Sequence, residues 1–150
     1  MAEKIKTFEK ITKELFNLLE TKVGIDIKEE EGVMVIQLAT DEPGILIGYH
    51  GQTLQAIQLL IALMGLKKFG EWTRVLVNVG DYREKRQESL TRMAQSIAQK
   101  VKFSRTPQNL PPMSAAERRM VHLALADDVE VETVSEGEGK ERHVVIKPKS

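Results

Sequence analysis

The sequence predicts an α+β fold of two small cores joined by one long helix, on three observations. Apolar residues at helical spacing trade places with short alternating runs twice along the chain. A basic amphipathic stretch of about 20 residues after Asp81 separates the two sets and would span about 30 Å. A Leu110-Pro111-Pro112-Met113 break then isolates the second set. The 150 residues, 41% of them hydrophobic and 29% charged, suffice for one ordinary soluble domain or two small ones. The divisions expected are residues 1–80, a connecting helix over 81–103, and 104–150.

In chain order, Phe8, Ile11, Leu15, Leu18 and Leu19 mark an amphipathic helix over about residues 3–22, closed by Val23-Gly24. Ile25–Lys28 alternates, Glu29–Gly32 reads as a turn, and Val33–Leu38 follows as a second strand, so the pair is a hairpin. Asp41-Glu42-Pro43-Gly44 breaks the strand, with Pro43 suited to the first position of a short helix. The next helix is expected from Gln52 to Met64, with Leu54, Ile57, Leu60, Ile61 and Met64 inward and Gly65 as terminator. Trp72–Val79 is a third strand, with Val75, Val77 and Val79 on one side.

Asp81 reads as an N-cap, with Glu84 three residues on. The helix from Tyr82 to about Phe103 turns Tyr82, Leu90, Met93, Ala94, Ile97 and Val101 inward, and Arg83, Lys85, Arg86, Arg92, Lys100 and Lys102 outward. Ser114-Ala115-Ala116-Glu117 opens a last helix with a capping box, and Asp127-Asp128 closes it. Val129–Val134 and His143–Ile146 then form a hairpin around a turn at Ser135–Lys140.

Composition narrows the function. There is no cysteine, which excludes disulfides and thiolate metal sites and suits a reducing cytoplasm. The N-terminus reads as neither a signal peptide nor a membrane span, and the apolar run Leu59–Met64 is far too short to cross a bilayer, so no membrane insertion is expected. The formal net charge is zero, yet its distribution is uneven. Residues 1–42 carry 6 basic against 10 acidic groups, residues 43–126 carry 12 against 5, and residues 127–150 carry 4 against 7. A basic middle between acidic ends is a patch, and patches attract phosphates; solvated helix faces would give the same count.

The most informative segment is Gly48-Tyr49-His50-Gly51, entered from an apolar run and followed by Gln52 and a helix. Glycine lacks the Cβ that would keep main chain away from a sugar-phosphate backbone. The helix that follows offers its N-terminal amides to negative charge. Ile45 and Ile47 are candidates for an apolar groove beside the loop. A second constellation lies in Glu117-Arg118-Arg119-Met120-Val121-His122: Arg118 and His122 are four apart, so they share one helical face, with Met120, Val121 and Ala124 toward a core. A guanidinium and an imidazole so placed suit a phosphate; the alternative is an exposed arginine beside a histidine hydrogen-bonded within the fold.

The first segment resembles the GxxG loop with which the K-homology (KH) domain clamps single-stranded nucleic acid. The order helix-strand-strand-helix-helix-strand resembles the bacterial, type II form of that fold, and the loop falls between two helices as it should. Arg118-x-x-x-His122 resembles the mark of the R-3-H domain. With Asp81-Tyr82-Arg83, Pro112-Met113 and Ser135-Glu136-Gly137, the whole chain resembles the bacterial Jag family, the SpoIIIJ-associated proteins. The resemblance implies a KH domain over 1–80 and an R-3-H domain over 104–150. It implies cytoplasmic single-stranded RNA binding, with single-stranded DNA as a lesser ligand, and a post-transcriptional or cell-envelope regulatory role. The expected contacts are Gly48, Tyr49, His50, Gly51, Gln52, Ile45, Ile47, Arg83, Arg86, Arg118, Arg119 and His122. Homodimerisation, or pairing with another KH protein, is also implied.

Two features depart from the family pattern. Members often carry a further N-terminal domain and linker, which this chain is expected to lack. Tyr49 and His50 stand where basic residues are common, so charge attraction through the loop is weaker and Tyr49 is suited to stack or to donate its hydroxyl.

Catalysis is not expected. The loop lacks the Gly-Lys-Ser/Thr ending of a P-loop and is not GxGxxG. His50, His122 and His143 lie far apart with no HExxH spacing, so neither a metal nor another cofactor is called for, and Asp127-Asp128 reads as a helix-ending turn. The stronger alternative is a KH-mediated protein-interaction scaffold with little intrinsic RNA affinity.

Overall fold

A computed structural model describes residues 2–150, in two compact units, Met1–Arg83 and Glu84–Ser150. The first begins with helix α1 (Ala2–Leu18), which buries Phe8, Ile11, Thr12, Leu15 and Phe16. Thr12, buried among apolar neighbours, donates its hydroxyl to the Phe8 carbonyl at 2.7 Å. The helix stops short of the expected residue 22. Glu20 adopts φ +53°, and the amides of Glu20 and Thr21 bond back to Asn17 and Phe16 at 3.1 and 3.0 Å. This is a Schellman closure with a glutamate in the left-handed position. Leu18 and Leu19 fall at that end and stay exposed, contrary to expectation, while Phe16 takes the core position.

Strands β1 (Gly24–Glu30) and β2 (Val33–Ala39) form the expected hairpin, closed by Glu31-Gly32 with φ of +49° and +80°. Positive φ at both turn residues matches the twist of the strands they join. Strand β3 (Arg74–Val79) pairs parallel to β2, with Ile36 opposite Val77, giving the sheet order β1-β2-β3. The crossover between β2 and β3 holds helix α2 (Pro43–Ile47), a 3-10 turn at Tyr49–Gly51, and helix α3 (Gln52–Phe69).

Helix α3 passes through Gly65 rather than ending there and is capped by Gly70 at φ +72°. Gly65 serves packing instead: a Cβ there would lie 2.5 Å from Phe8 Cζ, so the glycine lets α1 and α3 approach. The core under the sheet is Phe8, Ile11, Phe16, Met34, Ile36, Leu38, Leu46, Leu54, Ile57, Ile61 and Val77. Leu60, expected inward with Ile57 and Ile61, lies outside that core and stays exposed.

Helix α4 (Tyr82–Ser104) carries the division between the units, since Tyr82 and Arg83 fall in the first and Glu84 onward in the second. In the second unit Ala94, Ala98 and Val101 of α4 pack with Val121 and Leu125 of α5 (Ala115–Leu125). A three-stranded antiparallel sheet completes that core, in the order β4 (Gln108–Asn109), β6 (His143–Pro148), β5 (Val131–Glu136). The β5–β6 hairpin is the expected one, with its turn shifted to Gly137–Arg142. Strand β4 has only two residues and thus no period to read. Among the described residues no helix is long and apolar enough to cross a membrane, and no group of three His, Cys, Asp or Glu side chains could hold a metal ion.

Candidate nucleic-acid interface

The loop between α2 and α3 has a conformation that its glycines dictate. Gly48 sits at φ +70° and Gly51 at φ +82°, both in the left-handed region. A Cβ on Gly48 would overlap Thr53 Oγ1 and lie 2.7 Å from Thr53 Cβ; one on Gly51 would press the Tyr82 ring at 3.1 Å. The chain therefore folds back tightly onto the start of α3; both positions disfavour side chains on torsional grounds, and Gly48 excludes one on steric grounds as well. Between them His50 is itself at φ +50°, a conformation that L side chains other than Asn, Asp and His seldom adopt.

The two central side chains do not diverge. The Tyr49 and His50 rings stack with centroids 3.9 Å apart and planes at 25°. Tyr49 is nevertheless 71% exposed, and Gln52 is exposed at the start of α3. Of the two groove candidates, Ile45 is exposed on α2, while Ile47 is half-buried and packs against the first core.

A groove of about 450 Å³ runs between α3 and β3 in the same unit, lined by Gln55, Gln58, Leu59, Trp72, Arg74 and Val75 among others. β3 is an edge strand, so its outer amides and carbonyls are open to partners. At Val77 they are already occupied. Gln58 Oε1 accepts from the Val77 amide at 3.0 Å, and Arg83 Nη2 donates to the Val77 carbonyl at 2.9 Å. Arg83 also donates from Nε to Asn78 Oδ1 at 2.7 Å and from Nη2 to Gln58 Oε1 at 3.0 Å. Arg83, expected on the outer basic face, is thus tied into the groove wall as a brace. None of the groove's polar residues stands out from the sequence as a site, although Gln55 and Gln58 do interrupt the apolar run from Leu54 to Leu66, three residues apart.

The Arg-x-x-x-His face is differently employed. Ser114 caps α5, its Oγ accepting from the Glu117 amide at 3.2 Å, as the capping box predicts. Glu117 in turn receives Arg86: Nε at 2.8 Å and Nη2 at 2.7 Å from the same Oε2, with both side chains largely buried. Arg86 is therefore an internal clamp between α4 and α5 and not the exposed cation the helix pattern suggests. The outer-face residue Lys102 is likewise paired, with Asp128 at 2.7 Å and Glu130 at 3.5 Å. Asp128 Oδ1 also accepts the Glu130 amide at 2.9 Å, which makes Asp127-Asp128 a helix-closing turn as expected.

His122 has both ring nitrogens engaged, Nδ1 with Thr133 Oγ1 at 2.6 Å and Nε2 with Ser135 Oγ at 3.0 Å. Hydroxyls both donate and accept, so a neutral imidazole satisfies the pair in either tautomer. Burial, and secondarily the charge of Arg118, push its pKa below the ordinary 6.5. Arg118 is half-buried and donates from Nε to the Met113 carbonyl at 3.3 Å. Arg119 is exposed, with no hydrogen bond or ion pair among the described residues. Arg118 and His122 do share a face, but only Arg119 beside them presents an uncommitted guanidinium.

Comparison with known proteins agrees with this two-unit description. Residues 6–79 match the family described as KhpA/KhpB, KH domain, and residues 88–148 match the R-3-H domain. The chain is 41% identical over 124 residues to a Clostridium symbiosum protein named RNA-binding protein KhpB, covering 83% of this chain and 56% of that one. It is 37% identical over 111 residues to the protein of that name from Streptococcus pneumoniae serotype 2, covering 74% of this chain and 34% of the relative. A Bacillus subtilis protein of that name is 32% identical over 130 residues, with 85% and 62% covered. The chain thus spans between about one third and three fifths of the length of these relatives.

Proposed function

Because the chain belongs to the Jag family, with a KH domain of the KhpA/KhpB type followed by an R-3-H domain, we propose that it binds single-stranded RNA without catalysing a reaction. The observation that carries this reading is the Gly48–Gly51 loop, whose two left-handed glycines hold the chain in a tight turn at the start of α3, with no room for a Cβ at Gly48. Phosphates pass along that loop, and the α3–β3 groove beside it receives the bases. Leu59, Trp72 and Val75 give the groove its apolar body, and Gln55 and Arg74 supply polar contacts. In the second unit Arg119 and the remaining donors of Arg118 attract backbone, while His122 holds β5 in place. The 2′-hydroxyl favours RNA over DNA. A post-transcriptional or cell-envelope regulatory role in the cytoplasm is the physiological setting we infer.

The test is binding to a mixed-sequence single-stranded RNA over a range of salt. The affinity should fall linearly in log K against log salt, by about 0.7 per phosphate contacted. Tyr49→Asp with His50→Asp puts repulsive charge in the phosphate path, and should weaken binding at least about tenfold at unchanged melting temperature. An undiminished affinity in that variant would remove the loop as the site.

A second reading has its own observation. Helix α3 leaves Leu59, Leu60 and Leu63 about half exposed. That face suits pairing with a second KH domain, in another copy of this chain or in another KH protein, and a scaffold with little RNA affinity would use it alone. Absence of RNA binding even at low salt would favour that reading.

A further inference from the structure

The Tyr49–His50 pair has a feature that phosphate clamping does not require. Main chain and glycines suffice to bring amides to a phosphate, and loop side chains that help do so by charge. Here they are two rings in contact. The His50 ring covers one face of Tyr49, yet Tyr49 remains 71% exposed, so its opposite face looks into solvent. His50 sits at φ +50° between two left-handed glycines, Gly48 packed close to Thr53 and Gly51 close to the Tyr82 ring. An aromatic ring already backed by another loses little side-chain freedom when a third plane is added.

We propose that the open face of Tyr49 is a stacking site for one unpaired nucleobase, with the His50 ring as its backing. The inference rests on the RNA-binding reading and deepens it. The loop would hold a base as well as backbone, outside the α3–β3 groove, and without reading its sequence, since every base has a π face. It also explains how a loop without lysine or arginine at its centre can contribute affinity. Base-on-aromatic stacking changes affinity by about tenfold per base, comparable with the charge contacts this loop lacks.

The test compares a mixed-sequence single-stranded RNA with an oligonucleotide of equal length in which the bases are removed. Tyr49→Ala should lower affinity about tenfold for the base-bearing RNA and change it less than about twofold for the abasic one. Tyr49→Phe should retain wild-type affinity for both, because the ring and not the hydroxyl makes the contact. A 2-aminopurine placed along the RNA should be quenched by the wild type at one position and not by Tyr49→Ala. Equal loss on both oligonucleotides, or a Tyr49→Phe variant as weak as Tyr49→Ala, would overturn the stacking site in favour of a hydroxyl-to-phosphate contact. Wild-type binding that Tyr49→Ala leaves unchanged would overturn stacking alone. Failure of the wild type to bind either oligonucleotide would overturn the RNA reading as well.

Discussion

The GxxG loop of the first unit and the Arg-x-x-x-His face of the second use polar and aromatic groups in opposite ways. In the loop, backbone is held in left-handed conformations and an aromatic pair is left open to solvent. On the α5 face, the histidine that gives the motif half its name has both nitrogens bonded to Thr133 and Ser135, and the arginine one turn before it bonds the Met113 carbonyl. Sequence spacing states which residues share a surface. Whether those residues are free to meet a ligand depends on partners the spacing does not show: β5 supplies those of His122, and the segment before α5 supplies that of Arg118.

Variants that break this contrast should separate binding from stability. The largest effect is expected from Gly48→Ala combined with Gly51→Ala. Each adds a Cβ against Thr53 or Tyr82 and demands a positive φ, at a cost of about 1–3 kcal/mol per strained residue. RNA affinity should fall well beyond tenfold in filter binding, with the second unit's unfolding transition unmoved. On the other side, His122→Ala should destabilise the second unit by about 1–3 kcal/mol in urea unfolding, by leaving two half-buried hydroxyls without their partner. Arg86→Ala should cost a similar or smaller amount, about 1–3 kcal/mol, by stranding the Glu117 carboxylate, and should leave the salt slope of RNA binding unchanged.

Arg119→Ala should do the reverse of His122→Ala: no change in melting temperature, a few-fold loss of RNA affinity, and a salt slope reduced by about one. The smallest effect expected is on pH. Folded His122 holds its proton less tightly than the unfolded chain does, so its contribution to stability is complete above about pH 6.5 and is lost as pH falls below that value. His122→Gln should flatten this part of the stability profile, measured by urea midpoints on either side of that value.

Much of this was legible in the sequence, and the rest was not for definable reasons. Periodicity placed the helices and both hairpins, because each buries one face against a core. Helix ends were less legible: Glu20 closes α1 in a conformation usually left to glycine, and Gly65, which reads as a stop, is a packing notch for Phe8. The loop was legible because glycine at both ends is a local requirement. The employment of Arg83, Arg86 and His122 was not, since their partners lie 5 to 31 residues away and follow no period. The α3–β3 groove was hidden for the same reason, being made by residues from two elements and an exposed tryptophan.

The division of labour between the two faces is tested most directly by following the imidazole NMR signals of His50 and His122 together while single-stranded RNA is added. The His50 ring, paired with Tyr49 in the loop, should shift strongly, and the His122 ring, bonded on both sides to β5, should keep its position and tautomer. A His122 signal that moves with RNA while His50 stays still would contradict the account.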